Sequence, residues 1–347
     1  MPGSAHAGET PLLEVVNLSV TYRQGLRRPP VRAVRGVSFT VGHGETVSIV
    51  GESGSGKSTI GGAILGLLQV SEGTIRFNGE DITSIPVKRR REISAHLQAV
   101  FQDPYSSLDP ARTIGESVSE PLQVGATMSK TEVARTAGNV LGRVGLAASA
   151  ASKYPSEFSG GQRQRISIAR AIVRTPELVI CDEAVSALDV SVQAHVLNLL
   201  SELQKASETS YVFISHNMAV VRHVSDRVVV LYQGRVMEEG PAVETCDTPM
   251  HPYTRSLVAA VPVPNVTLQR ERRELRTEAT RASGFQLDGD VGCPFAPRCP
   301  FAQQKCVETT PEPIEFAPGR RAACIRIGEP ELAPEAVPSS SAPTAKP

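Results

Sequence analysis

An apolar run rich in β-formers, "TVSIV" at 46–50, leads directly into "GESGSGKST" at 51–59, and apolar residues then recur at helical spacing: Ile60, Ala63, Ile64, Leu67 and Leu68. The middle segment fits G-x-x-x-x-G-K-[ST], with Gly51, Gly56, Lys57 and Ser58 in the fixed places. The strand before it and the helix after it supply the context that a bare pattern match lacks. Glycines let consecutive amides turn inward, and the helix N-terminus adds partial positive charge. The stretch therefore predicts a polyphosphate cradle of Gly51, Ser53, Gly54, Ser55, Gly56 and Thr59. Lys57 would reach the β- and γ-phosphates, and Ser58 would hold Mg²⁺.

Other segments end in polar groups in the same manner. "LVICDEAVSALD" (178–189) is an apolar strand closed by two acids, and carboxylates at the C-terminal ends of parallel strands face the ligand crevice. Asp182 is expected on Mg²⁺, and Glu183, one residue on, is placed to polarise an attacking water. "SYVFISH" (210–216) ends in His216, expected at a γ-phosphate, and "VFQDP" (100–104) carries Gln102, an amide able to ligate Mg²⁺ or orient water. Tyr22 closes the first strand, where its ring could stack on a base or simply pack. "FSGGQRQRIS" (158–167) offers a second anion site at a helix start, formed by Ser159, Gly160 and Gly161. Arg163 and Arg165 fall in that helix's first turn, where the helix dipole disfavours cations, so a nearby anion or acidic partner is expected. One nucleotide has no face left for a second loop of the same subunit. The simplest resolution is that this loop covers a nucleotide held by a different subunit.

Strand and helix patterns alternate, which predicts an α/β fold with a parallel-centred sheet. An antiparallel piece precedes it, with Val16, Leu18, Val20 and Tyr22 on one strand face, and a helical insert at about 112–175 divides it. "RVVVLYQGRVMEEG" (227–240) reads as a hairpin turning at Gln233-Gly234. The 347 residues suit one large domain and a smaller one. Residues 1–11 read as a loose leader and 12–262 as the main domain. Residues 263–328 form an extension, and the Pro/Ser/Ala-rich 329–347 a disordered tail. Lys+Arg and Asp+Glu both number 36, so charge does not favour nucleic acid. The basic runs "KRRRE" (88–92) and "RERRELR" (270–276) read as solvated faces. No run approaches 18 apolar residues, and the N-terminus lacks a signal pattern. A cytosolic setting is expected, where six cysteines argue for ligation or burial rather than disulfides.

"GESGSGKST", "VFQDP", "FSGGQ", "VICDEAVSALD" and "FISH" stand in the order found in ABC transporter ATPase subunits, which this chain resembles over about 13–262. Phe158 replaces the usual Leu, and Ala184 stands where Pro is common; neither removes a catalytic group. The resemblance implies a RecA-like P-loop NTPase fold with an antiparallel β subdomain and a helical signature subdomain. It also implies a head-to-tail dimer in which Ser159, Gly160, Gly161 and Gln162 act in trans and Asp189 lies at the dimer contact. Tyr22 would stack on adenine, Gln102 would link Mg²⁺ to a membrane subunit, and Lys57, Glu183 and His216 would serve hydrolysis. "VFQDPYSSLDPARTIGESVSEPL" and "HPYTRSLVAAVP" (251–262) are more similar to the dipeptide and oligopeptide importer branch. That implies an ATP-driven importer with a second ATPase subunit, two membrane-spanning permeases and an extracytoplasmic solute-binding protein. This chain would lie peripherally at the cytoplasmic face of the membrane. Rival readings are a soluble, non-transport ABC ATPase, a redox-sensing regulatory ATPase in which the cysteine module is primary, and import of another solute such as nickel chelates or glutathione.

Cys293, Cys299, Cys306 and Cys324 give C-x5-C-x6-C-x17-C. The spacing lacks the tight opening pair of most zinc sites, and four cysteines suit a [4Fe–4S] cluster. Zinc and unliganded thiols remain open, while the importer resemblance implies the iron–sulfur cluster. Cys181 and Cys246 read as structural, and no chemistry is assigned to His251 or Tyr253.

Overall fold

A computed structural model describes residues 10–23, 29–123, 128–186, 188–262, 269–270 and 283–332. The leader up to residue 9, much of the break at 25–30, the basic run beyond Arg270 and the tail from 333 lie outside these. The chain divides into two compact units, one of residues up to 20, 38–46 and 58–214, the other of 21–37, 47–57 and 215 onward.

In the first unit, β1 (Leu13–Tyr22), β4 (Glu72–Phe77) and β5 (Glu80–Asp81) form a sheet in the order β1-β4-β5, and β2 (Val31–Val41) runs from the second unit into the first. Pairing of β1 with β4 is antiparallel and shifts register between Val16 and Ser19. Asn17 sits there at φ 50°, a bulge that switches the buried face from Leu13 and Val15 to Leu18 and Val20. The single alternating face expected from Val16 to Tyr22 is therefore not formed: Val16 is half-buried and Tyr22 exposed. Gly73 on β4 makes room for the bulge, since a Cβ there would stand 2.4 Å from the Asn17 carbonyl oxygen.

The same unit holds three parallel strands, β6 (Leu97–Val100), β7 (Leu178–Asp182) and β8 (Ser210–Ser215), in the order β6-β7-β8. Both β7 and β8 are buried almost throughout, as their unbroken apolar sequences require. The helices are α1 (Lys57–Ile64), α2 (Val87–Ile93), α3 (Ile114–Gln123), α4 (Lys130–Arg143), α5 (Gly160–Ile172) and α6 (Val190–Ser207). Helix α1 buries Ile60, Ala63 and Ile64 but stops before the rest of the expected stripe. Gly66 turns the chain at φ 70°, which leaves Leu67 66% exposed. The "KRRRE" run on α2 is not wholly a solvated face either: Arg90 turns inward, donating to the Ile82 and Ile64 carbonyls at 2.7 and 3.4 Å.

In the second unit, β3 (Thr46–Val50) pairs in parallel with β9 (Arg227–Tyr232), and β10 (Arg235–Pro241) pairs antiparallel with β9. Gln233 and Gly234 both take positive φ, 47° and 80°, the geometry of a tight two-residue hairpin at the expected place. Helices α7 (Met218–Val224), α8 (Ala242–Asp247) and α9 (Pro252–Ala259) follow. Past residue 283 come α10 (Gln304–Glu308), β11 (Ile314–Ala317) and β12 (Arg320–Ala322). Strand β12 adds to β10, with Ala322 opposite Glu238, and β11 adds to β12. Phe295, Ala296 and Ala323 share a core with Val228, Val230, Tyr232 and Tyr253. The described part of the extension is thus packed into the second unit.

Gly73→Ala is expected to destabilise the protein by roughly 2–3 kcal/mol, because both its positive φ and the Asn17 carbonyl oppose a side chain. Gly79→Ala, at φ 76° with only a distant Thr10 methyl nearby, should cost clearly less. Urea unfolding midpoints of the two variants compare them directly.

Candidate functional site

The phosphate loop in the second unit lies on backbone from two directions. A Cβ at Gly51 would stand 2.1 Å from the Leu231 carbonyl oxygen, and one at Gly56, φ 103°, 2.4 Å from that of Ala33. The Gly234 amide donates to the Ser55 carbonyl at 2.9 Å, tying the loop to the β9–β10 turn. Lys57, only 5% exposed, donates its ammonium to the carbonyls of Gly51 and Glu52 at 2.9 and 2.8 Å. Ser53 and Gly54 are exposed at the loop's tip. The Ser55 hydroxyl is buried and without a hydrogen-bond partner among the described residues. Such an arrangement carries a ready-made set of inward amides and one cation, which suits a polyphosphate.

In the first unit, Ser58 follows with its hydroxyl donating to Asp182 Oδ1 at 3.0 Å. A hydroxyl beside a strand-end carboxylate is a hard-oxygen pair that fits Mg²⁺. Thr59 is half-buried on the same first turn of α1. Glu183 follows at φ 46°, a sparsely populated conformation for a non-glycine residue, with its amide donating to the Ile214 carbonyl at 3.0 Å. This turn takes Glu183 off the line of β7 immediately after Asp182. Gln102 lies exposed two residues past β6, and His216 lies exposed directly after β8. Asp182 closes β7, His216 directly follows β8, and Ser58 and Asp182 are brought into contact. Tyr22 is 38% exposed at the end of β1.

Ser159 is the N-cap of α5, and its hydroxyl accepts from the Gln162 amide at 3.4 Å while Gln162 Oε1 accepts from the Ser159 amide at 2.9 Å. This capping box fixes the start of the helix and leaves Gly160 as its first residue. A Cβ on Gly161 would come 2.5 Å from a Val192 methyl, so the second glycine lets α5 approach α6. Asp189 caps α6, accepting from the Val192 amide at 3.0 Å, and that bond holds its carboxyl below the usual range. Arg163 and Arg165 both find partners within the chain. Arg163 lies 4.3 Å over the Tyr105 ring and donates to the Phe158 carbonyl, and Arg165 donates to the carbonyls of Val144 and Gly145.

The "HPYT" segment is organised by Glu238, fully buried on β10, whose carboxylate accepts from the amides of Met250 and His251 at 2.9 Å each. His251 caps α9, its Nδ1 accepting from the Tyr253 amide at 3.0 Å. The buried Tyr253 then accepts at its hydroxyl from the Glu52 amide at 2.9 Å, a link between α9 and the phosphate loop. All four cysteines of the C-x5-C-x6-C-x17-C set line one cavity with His251, Phe295 and Arg326. Burial pushes the Cys293 thiol up to about 11 and the Cys299 thiol up to about 12. Among the described residues, no three His, Cys, Asp or Glu side chains are grouped as a single metal ion requires. Buried Cys181 and Cys246, also raised by desolvation, stand apart from this cavity.

The ABC transporter family profile matches residues 34–186, and the profile of the oligopeptide/dipeptide transporter C-terminal region matches 237–306. The oligopeptide transport ATP-binding protein OppF of Salmonella typhimurium is 41% identical over 324 residues, covering 91% of this chain and 96% of that protein. The chain belongs to the ATP-binding subunits of ABC transporters. The oligopeptide transport ATP-binding protein AppF of Bacillus subtilis is 46% identical over 297 residues, covering 85% of this chain and 89% of that protein. Among solved structures, the Clostridium perfringens cbiO1 subunit matches with TM-score 0.61 at 29% identity, over 68% of this chain and 91% of that one. The ATP-binding cassette MJ0796, as a dimer in a post-hydrolysis state with ADP and phosphate, also matches at 0.61, with 30% identity over 66% of this chain and 98% of that one. This ABC subunit is an ATPase with an α/β P-loop fold, and none of its described helices is long and apolar enough to cross a membrane. No motif in the sequence assigns Tyr253 or Glu238 a role at this site. The "HPYTRSL" stretch, similar to the importer branch, flags the region but not its reach to the phosphate loop.

Burial lowers His251 from its ordinary value to about 3. Unfolded histidine takes a proton near pH 6.5, so the folded state's preference for neutral His251 contributes fully above that pH and is lost as pH falls toward 3. The buried Glu238 carboxyl, raised by desolvation, acts in the opposite sense within its own range. His251→Asn keeps an acceptor at the cap, and its melting temperature should fall less between pH 7.5 and 5 than that of the parent protein. Thermal scans across that range measure the difference.

Proposed function

We propose that this subunit hydrolyses ATP to drive import of peptides, paired head to tail with a second ATPase subunit beneath two membrane-spanning permeases. The reading is supported most by the match at 237–306 to the oligopeptide/dipeptide transporter C-terminal region, beyond the cassette common to all ABC transporters. An extracytoplasmic solute-binding protein would deliver the peptide, and the subunit would sit peripherally at the cytoplasmic face of the membrane. Tyr22 stacks on adenine, and the amides of Gly51, Ser53, Gly54, Ser55 and Gly56 with Thr59 wrap the phosphates. Lys57 leaves its two carbonyl partners for the β- and γ-phosphates. Ser58, Asp182 and Gln102 are the residues that would hold Mg²⁺, which supplies charge neutralisation on the phosphates when bound. Glu183 aligns the attacking water and accepts its proton, while His216 contacts the γ-phosphate.

Ser159, Gly160, Gly161 and Gln162 complete the site of the partner subunit, with Asp189 at the shared face. The signature-loop contact favours the closed dimer while the γ-phosphate is present, and hydrolysis removes that bridge. Gln102 passes the motion towards the permeases. Cys293, Cys299, Cys306 and Cys324 line one cavity and would hold a [4Fe–4S] cluster, which would cross-link the extension when bound. Their burial suits ligation, since the desolvation that opposes free thiolates would be offset by bonding to iron.

Glu183→Gln in the assembled complex is expected to lower ATP turnover by at least about a hundredfold while trapping an ATP-bound dimer. A variant that hydrolyses normally, or never traps the dimer, contradicts the assigned role. Anaerobically purified protein should contain about four irons and four acid-labile sulfides per chain, and Cys299→Ser should lose them. Colourless protein free of iron, with all four thiols titratable, contradicts the cluster.

A further inference from the structure

The phosphate loop carries an acid of its own. Glu52 lies one residue inside the loop, and a bare carboxylate there would repel the triphosphate that the loop receives. The structure pairs it. Arg298 donates from both terminal guanidinium nitrogens to the two Glu52 carboxylate oxygens, each at 2.9 Å, a two-pronged contact spanning 246 positions of sequence. Arg298 also donates to the Tyr232 hydroxyl at 3.3 Å and lies 5.5 Å from the Phe295 ring centre, so its head group is held on several sides. The Tyr253 hydroxyl holds the backbone amide of the same Glu52. Tyr253 packs against Tyr232 and Phe295, with ring centres 4.5 and 5.4 Å apart.

We propose that Arg298 is a positioning residue for nucleotide binding: it neutralises Glu52 and fixes the first turn of the phosphate loop from the cysteine-bearing extension. Arg298 is the last residue of a short 3-10 turn, Ala296–Arg298, between Cys293 and Cys299. The described part of the extension therefore reaches the phosphate loop through this guanidinium. Two effects combine in it. The charge of Arg298 cancels that of Glu52, and its geometry keeps the Glu52 side chain turned towards the extension. The inference rests on the loop being the ATP site.

The test is equilibrium titration of the full-length chain with Mg-ATP, at low and high salt, for the parent protein, Arg298→Ala, Glu52→Gln and the double variant. Arg298→Ala should weaken ATP binding roughly five-fold, and less so at high salt, as expected for a partly exposed ion pair. Glu52→Gln should bind ATP at least as tightly as the parent, because it removes the repelling charge. The double variant should bind like Glu52→Gln. A role confined to holding the fold together would instead make both single variants weaker and leave the double no better than Arg298→Ala. That result, or an unchanged Arg298→Ala, overturns the proposal. If Arg298→Ala does not fold, Glu52→Gln decides alone: tighter or equal binding supports the charge argument, and weaker binding overturns it. A parent chain that binds no ATP overturns the nucleotide-site reading itself, an outcome distinct from all of these.

Discussion

The nucleotide site depends first on two missing side chains. Gly51 and Gly56 let the phosphate loop lie against the carbonyl oxygens of Leu231 and Ala33, at distances where any Cβ would collide. With the Gly234 amide bonded to the Ser55 carbonyl, the loop's path is set by backbone already fixed in β2, β9 and the hairpin turn. Preorganised amides need little rearrangement when an anion arrives, which is why such loops bind tightly with few charges. Lys57 is part of the same arrangement, because the carbonyls of Gly51 and Glu52 hold its ammonium within the loop.

Local chemistry made much of this legible in the sequence. The loop, the buried strands and their polar ends, and the Gln233-Gly234 hairpin all announce themselves within a few residues, through period, turn chemistry or motif. The missed features are those decided at long range or by one backbone angle. Asn17 turns β1 over by adopting a left-handed conformation, which a strictly alternating reading of Val16 to Tyr22 cannot show. Gly66 ends α1 before Leu67 although the apolar spacing continues. The intrachain contacts of Arg163 and Arg165, a tyrosine ring and three carbonyls, come from segments that the helix pattern alone does not bring together. Glu52, Tyr253 and Arg298 come from three separate segments, and only folding shows that they meet.

The C-terminal extension is more than an appendage to the ATPase in physical terms. Its strand β12 lengthens the β9–β10 hairpin, and its Phe295 and Ala323 enter the same core as Val228 and Val230. The buried Glu238 joins these parts, organising the start of α9 while facing Arg320 of β12 at 3.6 Å. A carboxylate so deeply buried needs several donors, which ties β10, α9 and β12 to one geometry. The structural reach from the cysteine cavity to the phosphate loop follows from that shared packing.

The start of α5 is capped from within its own first turn. Ser159 and Gln162 satisfy one another there, and the proposed place of this loop is over a neighbour's nucleotide. The most direct test is ATP turnover per subunit across a wide range of concentration, for this chain alone and with its partner ATPase subunit. Turnover should be almost nil at low concentration and rise steeply with partner added, the rise being abolished on the partner's site by Ser159→Arg. Concentration-independent turnover by the isolated chain, indifferent to Ser159→Arg, would contradict it.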